Sequence, residues 1–336
     1  MEKFSEAFSE TDQINVEHVM TTDTIPQAFI WRRLHSLTGI WLVLFLMEHL
    51  LVNSQAALFV GQDGRGFING ANALESLPYL QVVEALFLGL PILIHTLWGI
   101  KYLRTAKYNS SRTNGATPAL PEYSRNHAYT WQRITAWILL FGILAHVIHM
   151  RFLERPEHIQ EGSTQYYMIQ VDRDDGLYTL AQRLDVNLYD RQDVNSAKLN
   201  LEEKMKKRFP APTTHAEELI LEQKRKDMNR LLQKLAERHI KDNQVIAIAK
   251  DFGTAELLML RNTFKKPIMI VLYTILVITA CYHAFNGLWT SLIKWGVTLS
   301  YRSQMIMLRF SIGLMLIIGF LGLAAVWGTY WINLKQ

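Results

Sequence analysis

Residues 31–53 read WRRLHSLTGIWLVLFLMEHLLVN, an apolar run with His35 near one end and His49 near the other. About 20 apolar residues span a hydrocarbon core of ~30 Å, so this run is long enough to cross a membrane as a helix. An ionisable side chain inside such a helix is costly and marks function by default. Four more runs of similar character come later in the chain, and the five lie near 30–52, 79–103, 131–152, 267–292 and 305–332. Each alone fits a buried helix of a large soluble protein. Five of them in 336 residues, 49% of them hydrophobic, select the membrane reading instead. The first run comes after a polar tail without the charged start and cleavage site of a signal peptide, so it is expected to be retained.

The stretch between the third and fourth runs has another composition. Residues 154–263 hold 18 Lys/Arg and 19 Asp/Glu, too charged for a membrane and nearly neutral. TQYYMIQVD alternates like a strand, GLYTLAQRLDV comes next like a helix, and QVIAIAK reads as a second strand. Thr214 and Glu217 form a capping-box pattern before an amphipathic helix running to about His239. The lone cysteine, Cys281, lies in an apolar run, so no internal disulfide staples this part. The expected fold is an all-α membrane protein: a five-transmembrane-helix bundle with a small α/β extramembrane insertion between helices three and four. Its parts are a cytoplasmic N-terminal segment at 1–29, helices one to three at 30–153, the inserted domain at 154–263, and helices four and five at 264–336.

Cation placement orients the bundle. Lys3, Arg32 and Arg33 precede the first helix, and Lys101, Arg104, Lys107, Arg112, Arg125 and Arg133 join the second to the third. Lys294 and Arg302 lie between the fourth and fifth, with Arg309 just inside the fifth, whereas the opposite side has Arg65 in its short loop and Lys335 in the tail. The positive-inside rule then puts the N-terminus in the cytoplasm, with the inserted domain and C-terminus outside. Topology accounts for most of these cations, and no basic face remains for nucleic acid.

Depth gives the histidines a pattern. His49 lies about 15 residues, or ~22 Å, into the outward-running first helix, and His95 lies equally far along the inward-running second. His146 on the third helix shares the outer layer with His49, and His283 on the fourth shares the inner layer with His95. The layers are roughly 15 Å apart in a ~30 Å core. A single intramembrane histidine is more often a helix–helix hydrogen-bond partner. Zinc gathers three or four ligands at one depth, and a proton relay also uses histidines. Two pairs at two depths, each from two helices, suit two bis-imidazole haems.

The motifs RRLHSLTG, EHLLVN, ESLPYLQVVE, LPILIHTLWG, WQRIT, AHV and YHAFNGLW, in this order, resemble the cytochrome b subunit of succinate dehydrogenase and fumarate reductase. The likeness is to the single-subunit, five-helix, two-haem anchor, and it covers the membrane helices, about two-thirds of the chain. It implies an outer haem b on His49 and His146 and an inner haem b on His95 and His283. It also implies a flavoprotein subunit with covalent FAD, an iron–sulfur subunit on the cytoplasmic face, and a membrane quinone, usually menaquinone. Such a chain in a bacterial inner membrane would pass electrons from succinate to quinone without itself oxidising succinate. The inserted domain departs from the short loop of the family, and His149 offers the third helix a second imidazole. His35, Arg32, Arg33 and Ser36 lie at the inner end of helix one, where haem propionates and the iron–sulfur subunit would be; Arg133 is similarly placed. Glu48 and Glu84 fall in the outer half, where an unpaired carboxylate is functional, protonated or wet. Trp327, Tyr330 and Trp331 read as an outer aromatic belt. A haem b anchor for another dehydrogenase, or a non-redox membrane receptor or transporter, are the other readings.

Overall fold

The computed structural model describes residues 25–58, 62–107, 109–111, 119–161, 164–194, 196 and 215–332. The segment before residue 25, Arg112, Thr214 and Lys335 lie outside these, and with them the proposed capping box and part of the cation count. Among the described residues, five helices are long and apolar enough to cross a membrane: α1 (Gln27–Ser54), α3 (Leu80–Thr105), α4 (Ser124–Leu153), α8 (Pro267–Lys294) and α9 (Tyr301–Ile332). Their outward faces stay apolar and exposed, as at Leu44, Phe87, Leu93, Phe141 and Leu316. A lipid-facing surface has this character, because backbone polar groups are satisfied within each helix and the exterior needs no polar cover.

Helix α1 packs on α3, α8 and α9, while α8 packs on α4 and α9, and α3 meets α4 along a shorter contact. Around the ring α1–α3–α4–α8, therefore, α1 faces α4 across one diagonal and α3 faces α8 across the other. Two helices are locally unwound. Helix α3 widens into π turns at Ala85–Gly89, and α4 does so at Ile148–Leu153. The carbonyl of Phe87 in the first widened segment accepts a hydrogen bond from Trp41 Nε1 of α1 at 2.6 Å.

Between α4 and α8 the chain forms a four-stranded antiparallel sheet of order β1-β2-β4-β3 with helices on both faces. The elements are β1 (Glu157–Glu161), β2 (Thr164–Asp172), α5 (Asp175–Arg183), β3 (Asn187–Tyr189), α6 (His215–Glu237), β4 (Gln244–Ala249) and α7 (Phe252–Phe264). Side chains alternate between faces. Ile169, Val171, Val245 and Ala247 bury against α5 and α7, whereas Met168, Ile246 and Ile248 bury with Leu235 and Ile240 on the α6 side. Asp174 and Asp251 cap α5 and α7 by accepting from Leu177 N and Thr254 N, each at 2.9 Å.

A short helix absent from the sequence reading, α2 (Arg65–Glu75), lies between α1 and α3 and packs on α7. The contact is backbone-close: a Cβ at Gly253 would meet the Ile68 carbonyl oxygen at 2.3 Å. Asn72 completes it, accepting from Gly253 N at 2.7 Å and donating to Asp251 at 2.8 Å. Arg261 of α7, 2% exposed, binds both carboxylate oxygens of Asp174 and lies over the Tyr330 ring of α9. The sheet, α7 and the bundle thereby share one apolar core, from Val43 and Val277 through Phe67 and Leu257 to Val171.

Candidate functional site

Four imidazoles meet across the two diagonals of the bundle. The rings of His49 (α1) and His146 (α4) lie 6.0 Å apart at 76°, and those of His95 (α3) and His283 (α8) lie 6.3 Å apart at 78°. The first pair is at the end of the bundle that carries the sheet, the second towards the opposite end. Two imidazoles sharing a metal through bonds of ~2 Å place their ring centres about 6 Å apart. Both spacings fit that requirement. Among the described residues no group of three or more His, Cys, Asp or Glu gathers for a metal ion, so the donor sets are pairs.

Hydrogen bonds at Nδ1 hold the rings of His95, His283 and His146. His95 Nδ1 is 3.1 Å from the His35 carbonyl oxygen, and His35 Nδ1 is 3.1 Å from the His95 carbonyl. A carbonyl only accepts, so Nδ1 of His95 carries the proton and its Nε2 keeps a lone pair. His35 stacks on His95 with ring centres 4.0 Å apart. Opposite, Thr135 Oγ1 donates to the Trp131 carbonyl at 2.7 Å and is free to accept from His283 Nδ1 at 3.2 Å. Gln132 Nε2 donates to the His283 carbonyl at 3.0 Å, and Asn286 Nδ2 donates to Gln132 Oε1 at 2.6 Å. Second partners of this kind orient a ligating imidazole and fix its tautomer. Gly39 leaves room for the arrangement, since a Cβ there would press on His95 Cε1 at 3.0 Å.

In the other layer, His146 Nδ1 is 3.3 Å from Tyr273 Oη, which is also 3.4 Å from His149 Nδ1. His149 turns to Glu154, with Nε2 3.9 Å from Oε1, and the His49 ring pairs with His146. The His49 ring stacks on Phe45 at 5.4 Å.

The remaining sequence candidates divide. Ser36 is buried and accepts from Trp295 Nε1 at 3.1 Å. Arg33 donates to the Lys294 carbonyl and lies between the Phe29 and Trp295 rings. Arg32 is exposed, and Arg133 folds back on its own helix at Tyr129. Glu84 pairs with Arg151 at 2.6 Å, an ion pair the sequence did not reveal, while Glu48 is exposed on the flank of α1. Trp327 and Trp331 are exposed near the sheet-bearing end, and Tyr330 underlies Arg261. Thr135, Gln132 and Asn286 escaped the sequence reading. Their signal was a polar side chain inside an apolar run, within WQRIT and YHAFNGLW.

No family model and no solved structure matches the chain. It is similar to the succinate dehydrogenase cytochrome b558 subunit of Bacillus subtilis, 33% identical over 124 residues, 37% of this chain and 55% of the relative. The chain thus spans about half the length of the curated relative it matches.

Proposed function

We propose that this chain is the cytochrome b membrane anchor of a succinate:quinone oxidoreductase and carries two haems b. The observation that carries the reading is the two inter-helix imidazole pairs, one on each diagonal, with spacings of 6.0 and 6.3 Å. The similarity to a succinate dehydrogenase cytochrome b subunit supports it independently. His95 and His283 would hold the inner haem, His49 and His146 the outer; His95, His283 and His146 would bind through the nitrogen left free when Nδ1 is hydrogen-bonded. Haem iron supplies reversible one-electron transfer, which the low-dielectric helices insulate from water.

The chain's own residues bind and orient. His35, Thr135 and the pair Gln132 and Asn286 hold the inner imidazoles; Arg32, Arg33 and Ser36 line the inner rim, where propionates and an iron–sulfur subunit would dock. A flavoprotein subunit with FAD would complete the succinate-oxidising part, and a quinone, menaquinone by the family likeness, would accept electrons at the outer end. In this reading the protein lies in a bacterial inner membrane, with the N-terminus in the cytoplasm and the sheet outside.

The test is a reduced-minus-oxidised spectrum of purified membranes, then succinate-dependent quinone reduction by the isolated complex. Two bis-histidine haem signals and quinone reduction are expected. A receptor or transporter would show no haem, and an anchor for another dehydrogenase would show haem without succinate activity. Replacing His95 or His283 should remove one haem and leave the other. His146→Ala should remove the outer haem, whereas His149→Ala should keep both; the reverse pattern would make His149 the ligand.

A further inference from the structure

Among the groups around the two histidine pairs, one comes from α8 yet serves α4. Tyr273 is the seventh residue of α8, and its hydroxyl lies between two imidazoles of α4, 3.3 Å from His146 Nδ1 and 3.4 Å from His149 Nδ1. A phenol has one proton to give and lone pairs to accept with. If His146 is to offer Nε2 to a metal, its Nδ1 carries the proton and must donate. The phenol oxygen accepts that proton's hydrogen bond and directs its own towards His149. The two contacts are therefore compatible in one sense only: His146 donates to Tyr273, which donates to His149.

The phenol is held from the other side by the inserted domain. Phe264, the last residue of α7, packs edge-on against Tyr273 with ring centres 5.3 Å apart. His149 owes its position to the widened turns Ile148–Leu153, and its far nitrogen faces Glu154 at the start of the link to the sheet. Nothing in the chain near His146 foretells this arrangement, since Tyr273 is 127 residues away.

We propose that Tyr273, clamped by Phe264 of the inserted domain, is the positioning residue of the outer haem site: it fixes the orientation and tautomer of His146 and makes His149 its hydrogen-bond partner rather than a competing ligand. The insertion then has a role in the bundle, as the buttress of an outer ligand. The proposal rests on the two-haem reading. A hydrogen bond from Nδ1 makes an imidazole more electron-donating, which favours the oxidised metal. Removing the acceptor should raise the midpoint potential of the outer haem alone.

The experiment titrates the purified wild-type complex and its Tyr273→Phe variant, monitoring both haems by visible absorption and low-temperature EPR. Fewer than two haem signals in the wild type would defeat the underlying reading before any variant is considered. With two present, Tyr273→Phe should keep both, move the outer potential upward, alter the outer EPR signal, and leave the inner haem unchanged. Loss of the outer haem with the inner retained would equally support the proposal. An unchanged outer potential and EPR signal would overturn it. Should Tyr273→Phe lose both haems, Phe264→Leu takes its place, because it keeps the hydroxyl and removes only the clamp. A smaller upward shift of the outer haem is then expected, and no shift would sink the idea.

Discussion

Gly39 faces His95 closely enough that one methyl group matters. A Cβ at this position would sit 3.0 Å from Cε1 and 3.3 Å from Nδ1 of the ring, which is itself stacked on His35 and cannot retreat freely. Gly39→Val should therefore tilt His95 away from His283, so that spectroscopy finds the inner haem lost or shifted and the outer intact. Intact signals from both haems would show that the ring has room the geometry denies it. Glu256 poses a different problem at the same scale. It lies on α7 near Arg155 and Glu75, and its Oε2 is shielded from solvent without a hydrogen bond among the described residues. Burial, only partly countered by Arg155, pushes its carboxyl up from 4.5 to about 7. Below 4.5 the folded and unfolded chains both hold the proton. Between that value and about 7 the folded chain keeps a proton the unfolded chain has lost, so stability falls as pH rises. The whole window is worth about 3 kcal/mol. Thermal unfolding in detergent at pH 5 and pH 8 should show this loss in the wild type. Glu256→Gln should reduce it, and an identical pH dependence in the two would refute the assignment.

Widened turns precede His95 in α3 and contain His149 in α4. A π turn accommodates one extra residue without rotating the helix beyond it, and α3 has such turns at Ala85–Gly89, between its start and His95. Deleting Leu86 should let this segment relax to an α-helix while His95 stays on the bundle diagonal, so both haems should persist. The same deletion at Ile278 in α8, a regular α-helix, should turn His283 by about 100° relative to the preceding residues and abolish the inner haem. Equal outcomes at the two sites would mean that the widened turns do not hold the register. The contrast also explains which features could be read in advance. Five apolar runs announce five helices because lipid leaves the backbone no other partner, and depth counting groups the histidines as the ring contacts do. The widened turns leave no mark in composition. β3 is too short at three residues to show alternation, and α2 hides behind Gly66 and Gly70. Tyr273 was unreadable because its partners lie on another helix, and a contact across 127 residues has no local signature.

Taken as one molecule, the sheet is built into one end of the bundle rather than hung from it. The apolar core is continuous from Val43 and Leu50 through Ile68 and Leu257 to Val171 and Val245, and its polar fastener is Arg261. This guanidinium is 2% exposed, bound to Asp174, and seated on Tyr330 of the last membrane helix. Although burial opposes ionisation of Asp174, Arg261 and Lys265 outweigh it and hold the carboxyl below its ordinary value. Its contribution to stability is therefore present above the usual carboxylate range and fades as pH falls through the lowered value. Asp174→Ala strands the buried guanidinium, a loss of roughly 3–5 kcal/mol, and removes the α5 cap for about 1 kcal/mol more. Asp174→Asn keeps a capping oxygen and should be milder. Protease added to spheroplasts, with the sheet outside as proposed, should cut the wild-type insertion between its elements only. In Asp174→Ala it should degrade the sheet and disturb the outer haem through Phe264 and Tyr273, leaving the inner haem spectrum as it was. Protection in spheroplasts but cleavage in inside-out vesicles would reverse the topology. Equal disturbance of both haems would show that the domain supports the whole bundle, not its outer layer.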